Sequence, residues 1–169
     1  VPINGHPVAI INLQGRVFMK EHVDCPFRAL DSLITYLRDK TRVIIVDFHA
    51  EATSEKIGLA TDFQGKITAL VGTHTHVQTA DERILPLGTA FISDLGMTGS
   101  LYSMLGMQSE AIIQSLRTQL PTKFQVAVEP PYVLSGVLIE ADSTSGRAVN
   151  ITRVRIIDHE VLDIIPSRD

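Results

Sequence analysis

The chain has 169 residues, a net charge of −4, 44% hydrophobic and 20% charged residues. That is enough for a globular domain with its own core, and it excludes a disordered or fibrous chain. The acidic balance argues against a broad basic surface for nucleic acid, and no apolar run reaches the ~18 residues of a membrane helix.

The opening "VPINGHPVAIINLQG" runs at once into an apolar segment, as the middle of a protein does, so upstream sequence is expected. Val8 to Leu13, ended by Gly15, reads as a buried strand. In "CPFRALDSLITYLRDK", Phe27, Leu30, Leu33, Ile34 and Leu37 recur at helical spacing behind Pro26, which predicts an amphipathic helix with proline in its first turn. Val43 to Phe48 is a second buried strand. "TSEKIGLATDFQGK" predicts a helix with Thr53 or Ser54 as cap and Gly65 as stop. Ile67 to Val71 and Thr89 to Ser93 follow as strands, and "SEAIIQSLRTQL" as a helix ending before Pro121. The chain closes on "YVLSGVLIEADSTSGRAVNITRVRII", two extended runs about a turn-rich loop, hence a β-hairpin. The order predicts one α/β layered domain over 1–169, with a parallel portion and an antiparallel finish. The single cysteine, Cys25, excludes an internal disulfide and suits a reducing cytoplasm.

Parallel strands deliver functional groups at their carboxyl ends. Two of these strands run into histidine: "DFHAE" carries His49, and "GTHTH" carries His74 and His76. Side by side, the strands bring the three imidazoles to one rim. In an extended segment, residues two apart point the same way, so His74 and His76 serve one metal centre or two adjacent ones. Gly72 lets the backbone turn close to the site. Alone, three histidines describe a mononuclear zinc site with an open position for water; structural histidines in a binding module are the other reading. His6, His22 and His159 read as surface residues. Gly96 and Gly99 frame a loop that brings Thr98 toward a phosphate, or else a turn ending the preceding strand. Glu51 orients a ligand or starts the next helix, with the helix start favoured. Asp47 receives no role. Arg16, Lys56 and Arg83 are candidates to meet an anionic substrate.

At "DFHAEATSEK" and "GTHTHVQTADERILPLGTAFISDLGMTGS" the chain resembles the YmdB-type branch of the calcineurin-like metallophosphoesterases. The likeness runs from "AIINLQGRVF" through "DCPFRA" to "VLSGVLIEAD" and so covers essentially the whole chain. The resemblance implies a layered sandwich, two β-sheets with outer helices. It implies two metal ions (iron, manganese or zinc), with His49 and His74 on one and His76 on the other. It implies hydrolysis of phosphodiesters, with 2′,3′-cyclic nucleotides as the substrate type. The family's "GD" strand, its bridging acid followed by asparagine, and its "GNH" loop have no counterpart here; the asparagines are Asn4, Asn12 and Asn150. The resemblance therefore implies the carboxyl-terminal part of a larger metallophosphoesterase domain, incomplete at the amino terminus, with the proton donor elsewhere.

The leading expectation is that this chain supplies the three-histidine part of a dinuclear phosphodiesterase site, with Thr98 as a substrate contact. The alternatives are a mononuclear three-histidine hydrolase complete as given, or a non-catalytic fragment. The expected partner is a small phosphodiester, with no membrane and no stable nucleic-acid binding; a homo-oligomer is compatible with the sequence. On its own the chain is expected to be inactive and to expose an apolar face, because its strands read as covered on both sides.

Overall fold

The computed structural model describes residues 1–158. His159 lies outside the described residues. In chain order the elements are β1 (Pro2–Ile3), β2 (His6–Gln14), α1 (Pro26–Leu37), β3 (Val43–His49), α2 (Thr53–Asp62), β4 (Ala69–Thr73), β5 (Arg83–Ile84) and β6 (Ala90–Ile92). They continue as β7 (Thr98–Ser100), α3 (Ser109–Thr118), β8 (Tyr132–Ala141) and β9 (Ala148–Ile157). One sheet has the order β1-β2-β3-β4-β6-β5 and the other β7-β8-β9. Strands β2, β3, β4 and β6 are parallel neighbours, with β1 and β5 antiparallel at the two margins. The fold is therefore mixed α/β with two sheets. Among the described residues no helix is long and apolar enough to cross a membrane.

The chain divides into two compact units. Val1–Gly96 with Val137–Arg153 forms the first, and Met97–Gly136 with the described residues from Val154 onward forms the second. In the first unit the helices cover one face of the parallel sheet and the hairpin covers part of the other. Leu30 and Ile34 of α1 and Leu59 and Ala60 of α2 pack on Ile44, Val46, Phe48 and Leu70. On the other face Ala69, Ala90 and Ala148 meet, with Ile45, Ile139 and Ile151 around them. Alanine there brings the hairpin close to the strands. Thr68 fastens the two, taking the Ile44 N–H at 3.0 Å and donating to the Gly146 carbonyl at 2.6 Å.

Some boundaries differ from those read in the sequence. Strand β4 begins at Ala69 rather than Ile67 and reaches Thr73. Strand β6 is only Ala90–Ile92, and its flanking groups find other partners: Thr89 Oγ1 donates to the Ile67 carbonyl at 2.6 Å, and the Ser93 N–H binds Asp81 at 3.0 Å. Helix α2 is preceded by Ala52, without a side-chain cap from Thr53 or Ser54. The first-turn acid Glu55 instead accepts the N–H groups of Arg16 (3.0 and 3.1 Å) and Val17 (3.2 Å), clamping the chain that follows β2. In the second unit β7 pairs antiparallel with β8, Thr98 opposite Leu134. The segment read as either a phosphate loop or a turn has positive φ at Gly96 (81°) and continues into a strand beginning at Thr98.

Candidate metal centre at the ends of β3 and β4

The strand register builds the site. Asn12, Asp47 and Val71 lie abreast on β2, β3 and β4, and Gln14, His49 and Thr73 one step further along the same face. Cross-strand bonds then form by themselves. Asn12 Nδ2 donates to Asp47 Oδ2 at 2.8 Å, and the Thr73 hydroxyl donates to Asp47 Oδ1 at 2.9 Å. With its hydrogen directed at Asp47, Thr73 Oγ1 is left to accept from His49 Nδ1 at 3.1 Å. His49 is thereby held with Nδ1 protonated and an Nε2 lone pair free.

His74 is held from the other side. Its Nε2 lies 2.8 Å from Glu51 Oε2, an acceptor, which leaves the lone pair on Nδ1. That Nδ1 faces His49 Nε2 at 3.1 Å, with the rings edge-to-face and centroids 4.9 Å apart. With these tautomers two lone pairs face each other, an arrangement that a cation between them, a proton or a metal ion, would satisfy. Nitrogens bound at about 2.0–2.1 Å to one ion and 3.1 Å apart subtend roughly 100°, between octahedral and tetrahedral angles. The pair thus fits an edge of a coordination shell. Among the described residues, no group of three or more His, Cys, Asp or Glu side chains stands ready to hold a metal ion.

His76 is exposed and two residues on, along a loop that is not extended: φ is 136° at His74 and 64° at His76. The alternation argument for the His-x-His pair therefore does not apply. The structure brings His49 and His74 together, and His76 follows on their loop. Positive φ at a non-glycine residue costs about 1–3 kcal/mol and marks a backbone that its surroundings hold in place. Gly72 is explained by packing rather than by a turn. A Cβ there would stand 1.8 Å from the Ser93 carbonyl oxygen and 2.9 Å from Lys56 Cδ.

Glu51 precedes α2 and binds His74, so it orients a ligand candidate instead of starting the helix. Lys56 is removed from any substrate role: its side chain is buried and ion-paired with Asp94. Arg83 pairs with Asp81 at 3.3 Å and lies over the Phe91 ring. Burial would raise the Asp81 pKa, but hydrogen bonds from the Ser93 and Thr79 hydroxyls outweigh it and hold the carboxyl below its ordinary value. Asp81 therefore stays ionised and ties the end of the histidine loop to β6. Thr98 belongs to the second unit, where it opens β7 opposite Leu134.

A cleft of about 450 Å³ opens beside the pair, bordered by His49, His74, Gln14, Glu21, Phe18 and Lys20. Lys20 and Glu21, which the sequence did not single out, bring one charge of each sign to its border. A second cleft, of about 390 Å³, lies between Arg38, Arg42 and Lys66 near the starts of β3 and β4, and carries none of the histidines. Asn12, Asp47 and Thr73 were also beyond sequence reasoning as partners, whereas Glu51 was one of two readings. Only the register shows that a threonine hydroxyl stands between an aspartate and a histidine of the neighbouring strand.

The family model for YmdB-like proteins matches residues 1–154. A 2′,3′-cyclic-nucleotide 2′-phosphodiesterase of Bacillus subtilis is 51% identical over 158 residues, which are 94% of this chain and 59% of that protein. A putative phosphatase/phosphodiesterase of Mycoplasma pneumoniae is 38% identical over 93% of this chain and 56% of its own length. The chain thus spans less than two thirds of either relative. Among solved structures, a hypothetical protein from Thermus thermophilus superposes with a TM-score of 0.85 at 35% identity, over 93% of this chain and 60% of that one. A phosphatase from Mycoplasma pneumoniae gives 0.79 at 38% identity, over 88% and 53%.

Proposed function

Because the chain belongs to the YmdB-like family, we propose that it carries the histidine part of a metal-dependent site that hydrolyses phosphodiesters, 2′,3′-cyclic nucleotides in particular. The observation that carries this reading is that His49 Nε2 and His74 Nδ1 face each other at 3.1 Å, each ring held by a partner on its other nitrogen. Imidazoles oriented by carboxylate and hydroxyl partners are what metal ligation requires. A hydrogen-bonded pair serving only the fold needs no such double orientation. The name of the Bacillus relative supports the substrate class.

In this reading His49 and His74 hold one ion and His76 a second, with iron, manganese or zinc suited to nitrogen and oxygen donors. A bound ion supplies Lewis-acid polarisation of a phosphoryl oxygen and lowers the pKa of water near it. The chain's own residues do the rest of what lies within these 169 residues. Asp47 and Thr73 keep the proton of His49 on Nδ1, and Glu51 keeps that of His74 on Nε2. Lys20 draws the phosphate toward the cleft.

The test is turnover of 2′,3′-cyclic AMP by the full-length protein reconstituted with manganese, iron or zinc, compared with its His74→Ala and His76→Ala variants. Each substitution is expected to lower turnover by more than roughly 100-fold, beyond the effect of losing an orienting partner alone. The far-ultraviolet circular dichroism should stay unchanged. Normal turnover in either variant removes that histidine from the site.

A further inference from the structure

The proposed chemistry leaves one buried ion pair unused. Lys56 of α2 and Asp94, just beyond β6, have side chains 2% and 0% exposed, with Nζ 3.2 Å from Oδ2. That same Oδ2 accepts the backbone N–H of Thr75 at 2.9 Å, and Oδ1 accepts the N–H of Gly96 at 2.9 Å. Thr75 is the residue between His74 and His76.

We propose that the Lys56–Asp94 pair positions the histidine loop, Asp94 gripping the backbone between His74 and His76 while Lys56 keeps that carboxylate buried and aimed. The proposal rests on the reading of these histidines as metal ligands. The loop leaves the end of β4 with positive φ at both histidines. Such backbone persists only where the surroundings over-determine it. Asp94 does so at two points. Its side chain takes Thr75, while its main chain exchanges two bonds with Thr79: the Thr79 N–H to the Asp94 carbonyl at 3.1 Å, and the Asp94 N–H to Thr79 Oγ1 at 2.9 Å.

A carboxylate this buried needs a cation, and the chain makes room for one. A Cβ on residue 72 would meet the Ser93 carbonyl oxygen at 1.8 Å and Lys56 Cδ at 2.9 Å, so Gly72 leaves room for both β6's continuation and the lysine stem. Stability is a poor explanation for the pair. A buried ion pair gives the fold little that a shape-matched apolar pair would not. The apolar pair, however, has nothing to offer the amides of Thr75 and Gly96.

The experiment uses the full-length protein and two double variants that avoid stranding one buried ion. K56M/D94L keeps the branching shape of residue 94 and removes both acceptors; K56M/D94N returns one carbonyl oxygen in the same shape. Both are expected to melt within about 5 °C of the unaltered protein. In metal-free K56M/D94L the Thr75 amide should exchange at least roughly tenfold faster, while amides of β3 keep their rates. Its Co²⁺ affinity should fall at least roughly tenfold, with a changed d–d absorption spectrum, and K56M/D94N should recover part of each. Unaltered Thr75 exchange in K56M/D94L overturns the proposal, as do an unaltered Co²⁺ affinity and spectrum. Unfolding of both double variants also overturns it, because the pair would then hold the core and not the loop. The two readings fail separately. An unaltered protein that takes up no Co²⁺ refutes the metal reading, while the Thr75 exchange rate still decides whether Asp94 grips the loop.

Discussion

The two faces of β3 share one backbone and do different work. On the helix side Ile44, Val46 and Phe48 are 2%, 0% and 0% exposed, a uniform apolar row against α1 and α2. On the other side Ile45, Asp47 and His49 are only partly buried, and their character changes along the strand. Ile45 packs against the Ala69, Ala90 and Ala148 cluster, Asp47 bonds across two strands, and His49 stands at the rim facing His74. Side chains of a strand alternate with a period of two, so a single stretch can carry a core row and a polar row without conflict. Half burial is what suits the second row: dry enough to order a hydrogen-bond chain, open enough for a ligand to arrive.

The comparison can be broken at its strongest point first. Phe48→Ala removes a fully buried ring from the helix side and should cost about 3–5 kcal/mol, read as a lower urea midpoint. The metal affinity of the protein that remains folded should stay unaltered. A large loss of affinity in a folded Phe48→Ala protein would show that the two faces are not separable.

The second substitution acts on the other face. Thr73→Val keeps the β-branched shape and deletes the hydroxyl that links Asp47 to His49. Metal affinity, by titration calorimetry, is expected to fall roughly 10–100-fold, because His49 loses the partner that fixes its tautomer. Stability should change by about 1 kcal/mol. Thr73→Ser, which retains the hydroxyl, should recover the affinity. If Val and Ser variants bind metal alike, the hydroxyl does not orient His49.

How legible each face is in the sequence follows from the same difference. Apolar runs and the spacing of Leu30, Ile34 and Leu37 marked the main strands and α1, because burial writes itself into residue type. Pro26 marked the start of α1 for a local steric reason. The two-residue β1 and β5 left no trace, since their pairing depends on neighbours and not on their own exposed residues. His49, His74 and His76 stood out as strand-end histidines. Their partners did not, because Asn12, Asp47 and Thr73 meet only through the register of three strands. Lys56 misled for a related reason. Lysine is almost never buried without a partner, and its partner Asp94 lies 38 residues away.

The smallest expected effect on stability lies at the margin of the same polar face. Ile10 shares β2 with Asn12 and is 63% exposed, among the more exposed large apolar side chains of the first unit. Strand β1 pairs with β2 only at His6 and Pro7, so beyond Val8 that edge has no strand partner among the described residues. Val1, Ile3 and Tyr36 are exposed nearby, and an unpaired edge beside apolar side chains recruits further chains. The 169-residue polypeptide is therefore expected to self-associate and to bind a hydrophobic dye. Ile10→Lys places a charge on the strand, the means by which natural edges avoid pairing. Because Ile10 is exposed, the substitution should change stability by no more than about 0.5 kcal/mol. Sedimentation velocity should nevertheless show less association and fluorescence less dye bound. A monodisperse, dye-negative parent chain would mean that this edge is already protected, and the polar face would then end at Asn12 instead of continuing into an open margin.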